Sequence, residues 1–271
     1  MAAVSQTLMD FGRNHRQTSS PGVEVIVTSR YQIALVPDFP IPGPNSVSWI
    51  RCPADEADDV IREARATITP RNLPVTWVLD PATEPPDFAN RLAAHGIQAD
   101  THGEEATVMV LPVETPLEVP AIAGLVIRDA LEDFALFKAA EDVAAEAFAG
   151  IAFGENVDPS GTAERRFANH RATENRSALL ATIAGVPAGS GSLTVFAPHG
   201  AMINGGAVRP QFRGLGVYRA LVAARLEIAR SLGASGLAVW GGSMSAPILA
   251  RCGFQPISWR RFYVDWSTAP R

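Results

Sequence analysis

Gly205-Gly206-Ala207-Val208-Arg209-Pro210-Gln211-Phe212-Arg213-Gly214-Leu215-Gly216-Val217-Tyr218-Arg219-Ala220-Leu221-Val222 reads as a strand, a glycine turn and a helix. The β-rich run ends at Val208, and Pro210 removes the donor that a ladder would need next. Beyond the two glycines, apolar residues at Val217, Leu221, Ala224 and Ile228 follow helical spacing. Glycine at 214 and 216 lets the main chain come within hydrogen-bonding distance of a bulky anion. The free amides and the positive end of the helix dipole would receive it, and Arg213 adds a fixed charge. This is the physics of a pyrophosphate site. A dinucleotide fingerprint would need glycine at 219, where the chain has arginine, and a Walker loop would need a lysine.

Composition narrows the choice. The 271 residues suit one large domain or two modest ones, and 47% hydrophobic with 19% charged content fits a globular chain. A net charge of −5 offers no basic footprint for nucleic acid. No apolar run of about 18 residues spans a membrane, and the start, Met1-Ala2-Ala3-Val4-Ser5-Gln6-Thr7, lacks the features of a signal peptide. Cys52 and Cys252 are too few for a disulfide framework or a four-cysteine zinc site. A reduced, cytoplasmic protein without a metal is the expectation. Of 23 basic residues only Lys138 is a lysine, and it lies in a helical stretch with no glycine loop before it. P-loop, kinase and Schiff-base chemistry all require a placed lysine and drop out.

Working outward, strands are expected at 201–208, 189–196, 177–183 and 125–128, with helices over 131–149 and 164–171 separated by a polar segment, 154–162. After the quoted segment come a helix to Leu232, a strand at 236–240, a short helix at 246–252 and a closing strand at 259–264. Residues 114–121, with two prolines and two glutamates, read as a linker. Before it, 23–36, 47–52, 74–79 and 107–113 read as strands, 55–66 and 87–95 as helices, and proline-rich 37–45 as an irregular loop. The layout is α+β, or α/β around a mixed sheet.

The quoted segment resembles motif A of the GNAT superfamily of N-acetyltransferases, Gln/Arg-x-x-Gly-x-Gly/Ala. Gln211, Gly214 and Gly216 fill it, with Val208-x-Pro210 at the usual place upstream. A second signature of that family, a helix ending in Gly-Phe, follows as Ser243-Met244-Ser245-Ala246-Pro247-Ile248-Leu249-Ala250-Arg251-Cys252-Gly253-Phe254. The resemblance covers about residues 121 to 271. It implies a GNAT-like acyltransferase fold, with acetyl-CoA between splayed strands that end at Val208 and Trp240. Cofactor contacts are implied from Gly206, Ala207 and Val208 on the strand edge. Around the helix start they are implied from Gln211, Phe212, Arg213, Gly214, Leu215, Gly216, Val217 and Tyr218, and on the far side from Ser243 and Leu249.

An echo, Val75-Thr76-Trp77 … Leu92-Ala93-Ala94-His95-Gly96-Ile97-Gln98 against Ala238-Val239-Trp240 … Leu249-Ala250-Arg251-Cys252-Gly253-Phe254-Gln255, gives the first half a related layout. The expectation is two GNAT-like domains in tandem. Residues 1–120 would form a degenerate one without a CoA loop, and 121–271 the catalytic one.

The chemistry fits the family less closely than the motif does. Many members carry a carboxylate six residues before the proline to deprotonate the amine, whose solution pKa lies near 10; here that position is Asn204. A tyrosine on the last helix commonly protonates the departing thiolate; here Leu249 takes its place. A thiol of pKa about 8.5 leaves fairly well without help, and holding both reactants together supplies roughly 7 to 11 kcal/mol. Asn204, His199 and Tyr218 are the remaining catalytic candidates. Against these stand a solvated turn for His199 and simple packing for Tyr218. Ser243 and Ser245 reach the pantetheine or cap the helix, and Cys252 reads as buried structure. From Asp129 to Glu164 nine acids face Lys138 alone, a local charge of −8 that would steer a cationic amine or simply be solvated helix faces.

The resulting expectation is an acetyl-CoA-dependent N-acetyltransferase acting on a small-molecule amine. A non-catalytic acyl-CoA-binding module or sensor is the alternative. No nucleic-acid or membrane partner is expected, and a homodimer stays open.

Overall fold

A computed structural model describes residues 3–101, 103, 105–148 and 162–268. In chain order its elements begin α1 (Gln6–Asn14), β1 (Glu24–Val27), β2 (Gln32–Leu35), β3 (Ser46–Ser48), α2 (Ala57–Ile68) and β4 (Val75–Leu79). Next come α3 (Phe88–Ala94), β5 (Gln98–Ala99), β6 (Glu105–Pro112), β7 (Leu125–Asp129), α4 (Phe134–Phe148) and α5 (Thr162–Ala172). The chain closes with β8 (Arg176–Ile183), β9 (Val186–Phe196), β10 (Gly200–Val208), α6 (Val217–Ser231), β11 (Gly236–Gly241), α7 (Ala246–Arg251) and β12 (Gln255–Asp265). The fold is mixed α/β. Among the described residues no helix is long and apolar enough to cross a membrane.

The backbone forms two compact units, one from residues 3–15, 108–148 and 163–257, the other from 16–107, 162 and 258–268. The sequence reading divided the chain at 120/121. Instead, residues 3–15 and 108–120 group with the second half and 258–268 with the first, because strand pairing, not chain order, decides membership. Helix α1 has no counterpart in the sequence reading. The expected polar segment 154–162 lies outside the described residues except for Thr162, which opens α5.

In the larger unit the strands run β6-β11-β10-β9-β8-β7. Pairs β7–β8, β8–β9 and β9–β10 are antiparallel, while β10–β11 is parallel. Alternation along β8 shows how both faces are used: Ala178 and Leu180 pack with α4 residues Phe137 and Val143, Leu179 and Ala181 with α6 residues Val217 and Leu221. Leu8 and Phe11 of α1 join Val110 and Ala238 in a further cluster.

The smaller unit has β1–β2 and β2–β3 antiparallel, β3–β4 parallel, and β4–β12 antiparallel from Leu79↔Arg261 to Val75↔Asp265. Helix α2 buries Val60, Ile61, Ala64 and Ile68, and α3 buries Phe88 and Leu92, around the fully buried Trp77. Arg65 holds the buried Asp265 carboxylate through Nε and Nη2 at 2.7 and 3.1 Å.

Candidate active site

Strands β10 and β11 pair only at Ala201↔Leu237 and Met202↔Ala238 among the described residues. Beyond Met202 and Ala238 they fork. On its other edge β10 slips register between Asn204 and Ala207, a bulge with Gly205 at φ +62°. The chain then passes a short 3₁₀ turn, Pro210–Phe212, and enters α6 through Gly214 (φ +79°) and Gly216 (φ +92°). Open space surrounds Gly214, whereas a Cβ on Gly216 would stand 2.4 Å from Pro120 Cγ.

No side chain caps α6, and the amides of Gly214 to Arg219 find no acceptor among the described residues. A run of orphan amides at a helix start is an anion receptor. Arg213 is exposed there, its Nε donating to the Val208 carbonyl at 3.3 Å. Exposed Leu215, Trp240, Met244 and Ile248 add apolar surface on the segments bordering the fork. Phosphate at the amides and an apolar, amide-bearing arm along the fork is the chemistry this arrangement fits.

Arg219, which spoils a dinucleotide fingerprint, serves the structure instead, its Nη2 donating to the Arg251 carbonyl at the end of α7, at 2.6 Å. Gln211 and Ser243 are exposed, and Phe212 and Val217 pack inward. Leu249 is fully buried, where a Cβ on Gly241 would meet its Cδ1 at 2.9 Å, so it lies beneath the fork's surface. Ser245 does not cap α7 by accepting an amide; its hydroxyl donates to the Gly242 carbonyl at 3.3 Å. Cys252 is buried and unpaired with another cysteine.

Tyr218 lies under the bulge. A Cβ on Gly206 would be 2.7 Å from its Cε2 and 3.4 Å from its hydroxyl. Behind it stands Arg225, fully buried, with Nε donating to the Leu221 carbonyl at 3.0 Å and neither Nη atom hydrogen bonded. Gly191 makes room for that guanidinium, Nη1 standing 3.0 Å from where a Cβ would be. Burial raises the Tyr218 phenol pKa while the neighbouring Arg225 cation opposes the rise; burial lowers that of Arg225. The sequence reading missed Arg225, although an arginine four residues after Leu221 on an apolar helix face was the available signal.

Asn204 is exposed at the start of the bulge. His199 lies in the turn just before β10, whose first residue, Gly200, is already four strand positions (about 13 Å at some 3.3 Å per residue) from Asn204, and so is not brought to the fork. The acids counted as a mouth are largely engaged. Glu141 binds Arg166 at 2.7 and 2.9 Å, Glu146 lies 2.9 Å from Arg209, and Asp142 and Glu132 pair with Lys138 and Arg128. Asp129 and Asp133 accept backbone amides; Glu155 and Asp158 lie outside the described residues. Among the described residues no group of three or more His, Cys, Asp or Glu could hold a metal ion.

The smaller unit repeats the fork with different contents. Its parallel pair β3–β4 also joins at two positions, Ser46↔Thr76 and Val47↔Trp77. Past the strand ends, Arg51 Nη2 bonds both Asp80 oxygens at 3.0 Å, and Trp49, at φ 58°, carries Arg16 and Arg51 at 3.5 and 4.9 Å from its ring centre. The approach to α2 carries Asp55, Glu56, Asp58 and Asp59, which repel an anion where α6 offers bare amides.

The acetyltransferase (GNAT) family model matches residues 135–254. A GCN5-related N-acetyltransferase from Kribbella flavida is similar over 90% of this chain and 90% of its own, with TM-score 0.63 and 17% identity. One from Sphaerobacter thermophilus is similar over 89% and 81%, with TM-score 0.61 and 17% identity. A tandem GNAT protein from the clavulanic acid biosynthesis pathway covers 97% of this chain and 88% of its own, with TM-score 0.55 and 18% identity. At such identities the likeness is one of fold. No curated protein matches the chain.

Proposed function

We propose, from the match of residues 135–254 to the acetyltransferase (GNAT) family model, that the protein transfers an acetyl group from acetyl-CoA to a primary amine of a small molecule within a ternary complex. The observation that carries this reading is the set of acceptor-free amides from Gly214 to Arg219 beside the forked strands. Bound acetyl-CoA supplies an activated thioester. The amides and Arg213 hold its pyrophosphate, and the edge Gly206-Ala207-Val208 aligns its arm. Such positioning supplies roughly 7 to 11 kcal/mol of the barrier. Asn204 at the bulge cannot take the amine's proton, so in this scheme that proton passes to water, from which Tyr218 is reprotonated after the thiol leaves.

Titrating acetyl-CoA, with NAD and ATP as controls, is expected to raise the melting temperature by about 5 to 10 °C at a hundredfold excess over Kd. A shift with acetyl-CoA alone followed by thiol release with an amine supports the reading. Binding without release across an amine panel favours a non-catalytic acyl-CoA module, which Asn204 and the buried Leu249 motivate. No shift overturns both.

Tyr218 supplies the proton for the departing thiolate in this scheme, with Arg225 stabilising the phenolate left behind. Tyr218→Phe is expected to lower kcat about tenfold with little change in KM for acetyl-CoA. This is below the usual 10² to 10⁴ for acid–base help because a thiolate is a good leaving group. An unchanged kcat removes the role.

A further inference from the structure

The sheet face on the α4 side carries a polar cluster, beside Met202 of the α1 core, that the cofactor cradle does not use. Register places its members on one face: Asn204 opposite Ser192, Met202 opposite Thr194, and Thr194 opposite Arg176. Asn204 is exposed and Ser192, Thr194 and Met202 are half-buried, so the face is open at the bulge and closes over toward Arg176, whose Nε is buried. At its far side Arg176 Nη2 meets His170 Nε2 at 3.2 Å, and Nη1 reaches Thr194 Oγ1 at 3.4 Å.

The cluster has donors to spare. Burial, with help from the Arg176 and Arg166 charges, holds His170 neutral by pulling its pKa down to about 3. Its Nε2 accepts from Arg176, so the ring proton sits on Nδ1. That N–H and the Arg176 Nε–H are both buried without a hydrogen-bond partner. Arg176 also lacks a carboxylate partner among the described residues, since Glu141 is taken by Arg166 and Glu146 by Arg209. Donors and a cation shielded from water are costly unless something accepts from them.

We propose that Arg176, steadied by His170, binds a carboxylate on the acceptor, so that the amine substrate is an amino acid or another amino-carboxylate. The inference rests on the acetyltransferase reading above and deepens it. It also reverses the expectation of an acidic mouth tuned to simple cationic amines. The amine end reaches the bulge at Asn204, and the carboxylate end lies toward β8, roughly 12 Å away between backbone positions at two strand spacings and two residues.

Thiol release should be followed with matched acceptors: α- and ω-amino acids, their carboxamides, and the amines lacking the carboxylate. The carboxylates are expected to lead by 100-fold or more in kcat/KM, mostly through KM. In Arg176→Met that ratio should collapse toward one, with Arg176→Lys between; the acetyl-CoA thermal shift checks that each variant is folded. Equal turnover of acids and amides, or a ratio that survives Arg176→Met, overturns the proposal. Should no acceptor turn over, N-acetyl amino acids replace them in the thermal-shift assay. Stabilisation by these but not by their methyl amides, lost in Arg176→Met, supports the carboxylate site, and its absence overturns it. Absence of the acetyl-CoA shift instead overturns the underlying acetyltransferase reading.

Discussion

Taking the protein from pH 6.5 to pH 4 is expected to remove on the order of 6 kcal/mol of stability from the unit that contains His15 and His170. The His15 ring packs at a tilt against both Phe11 and Phe196, with centroids 4.8 and 4.4 Å away, and burial lowers its pKa to about 4. His170 is lowered further, to about 3. In the unfolded chain both imidazoles titrate near 6.5. Between those values the unfolded state binds protons that the folded state refuses. The stability is therefore whole above about pH 6.5 and falls as pH falls, each group contributing about 3 kcal/mol by pH 4. That sum is comparable to the entire stability of many domains. Denaturant midpoints at pH 7, 5.5 and 4.5 measure it. His15→Phe keeps a ring in the aromatic cluster and removes one titration, so it should roughly halve the acid loss. A wild type as stable at pH 4.5 as at pH 7, or a variant with unaltered pH dependence, contradicts the account.

Gly216→Val is expected to cost about 3 to 5 kcal/mol and to abolish the response to acetyl-CoA. Two effects add. The backbone is at φ +92°, a region β-branched residues avoid, and the new Cβ would stand 2.4 Å from Pro120 Cγ. Relieving either contact turns the helix start, and with it the amides that face the anion. Gly214→Ala is the control: its φ of +79° is unfavourable, but nothing lies within 4 Å, so a loss nearer 1 kcal/mol is expected. Thermal unfolding with and without acetyl-CoA separates the two. Equal losses at both positions would mean that the Pro120 contact is unimportant.

The turn into α6 was legible because proline and glycine punctuate it at fixed offsets and each has a stereochemical reason to be there. The hairpins β8–β9 and β9–β10 were legible for the same cause, their breaks falling at Ala184-Gly185 and Pro198-His199-Gly200. Helix α1 went unread although Ser5 caps it and Leu8 and Phe11 are one turn apart, since nine residues with so short an apolar stripe give little periodicity. The pairing of β12 with β4 joins residues nearly two hundred positions apart, and nothing local in either strand encodes its partner. Arg176 illustrates a different limit. Its sequence neighbours reveal a strand start, but its lack of a carboxylate partner becomes visible only when α5 places His170 beside it and Glu141 is seen to be occupied elsewhere.

The interleaving of the two units bears on how such a chain evolves. Mutation can change the contents of a fork one residue at a time; the smaller unit's fork holds the Arg51–Asp80 pair. Deletion cannot follow the same course. Strand β12 pairs with β4, near residue 77, and α1 is built into the core of the motif-bearing unit. No single cut within the described residues separates the two units, so neither can be trimmed away without breaking the other.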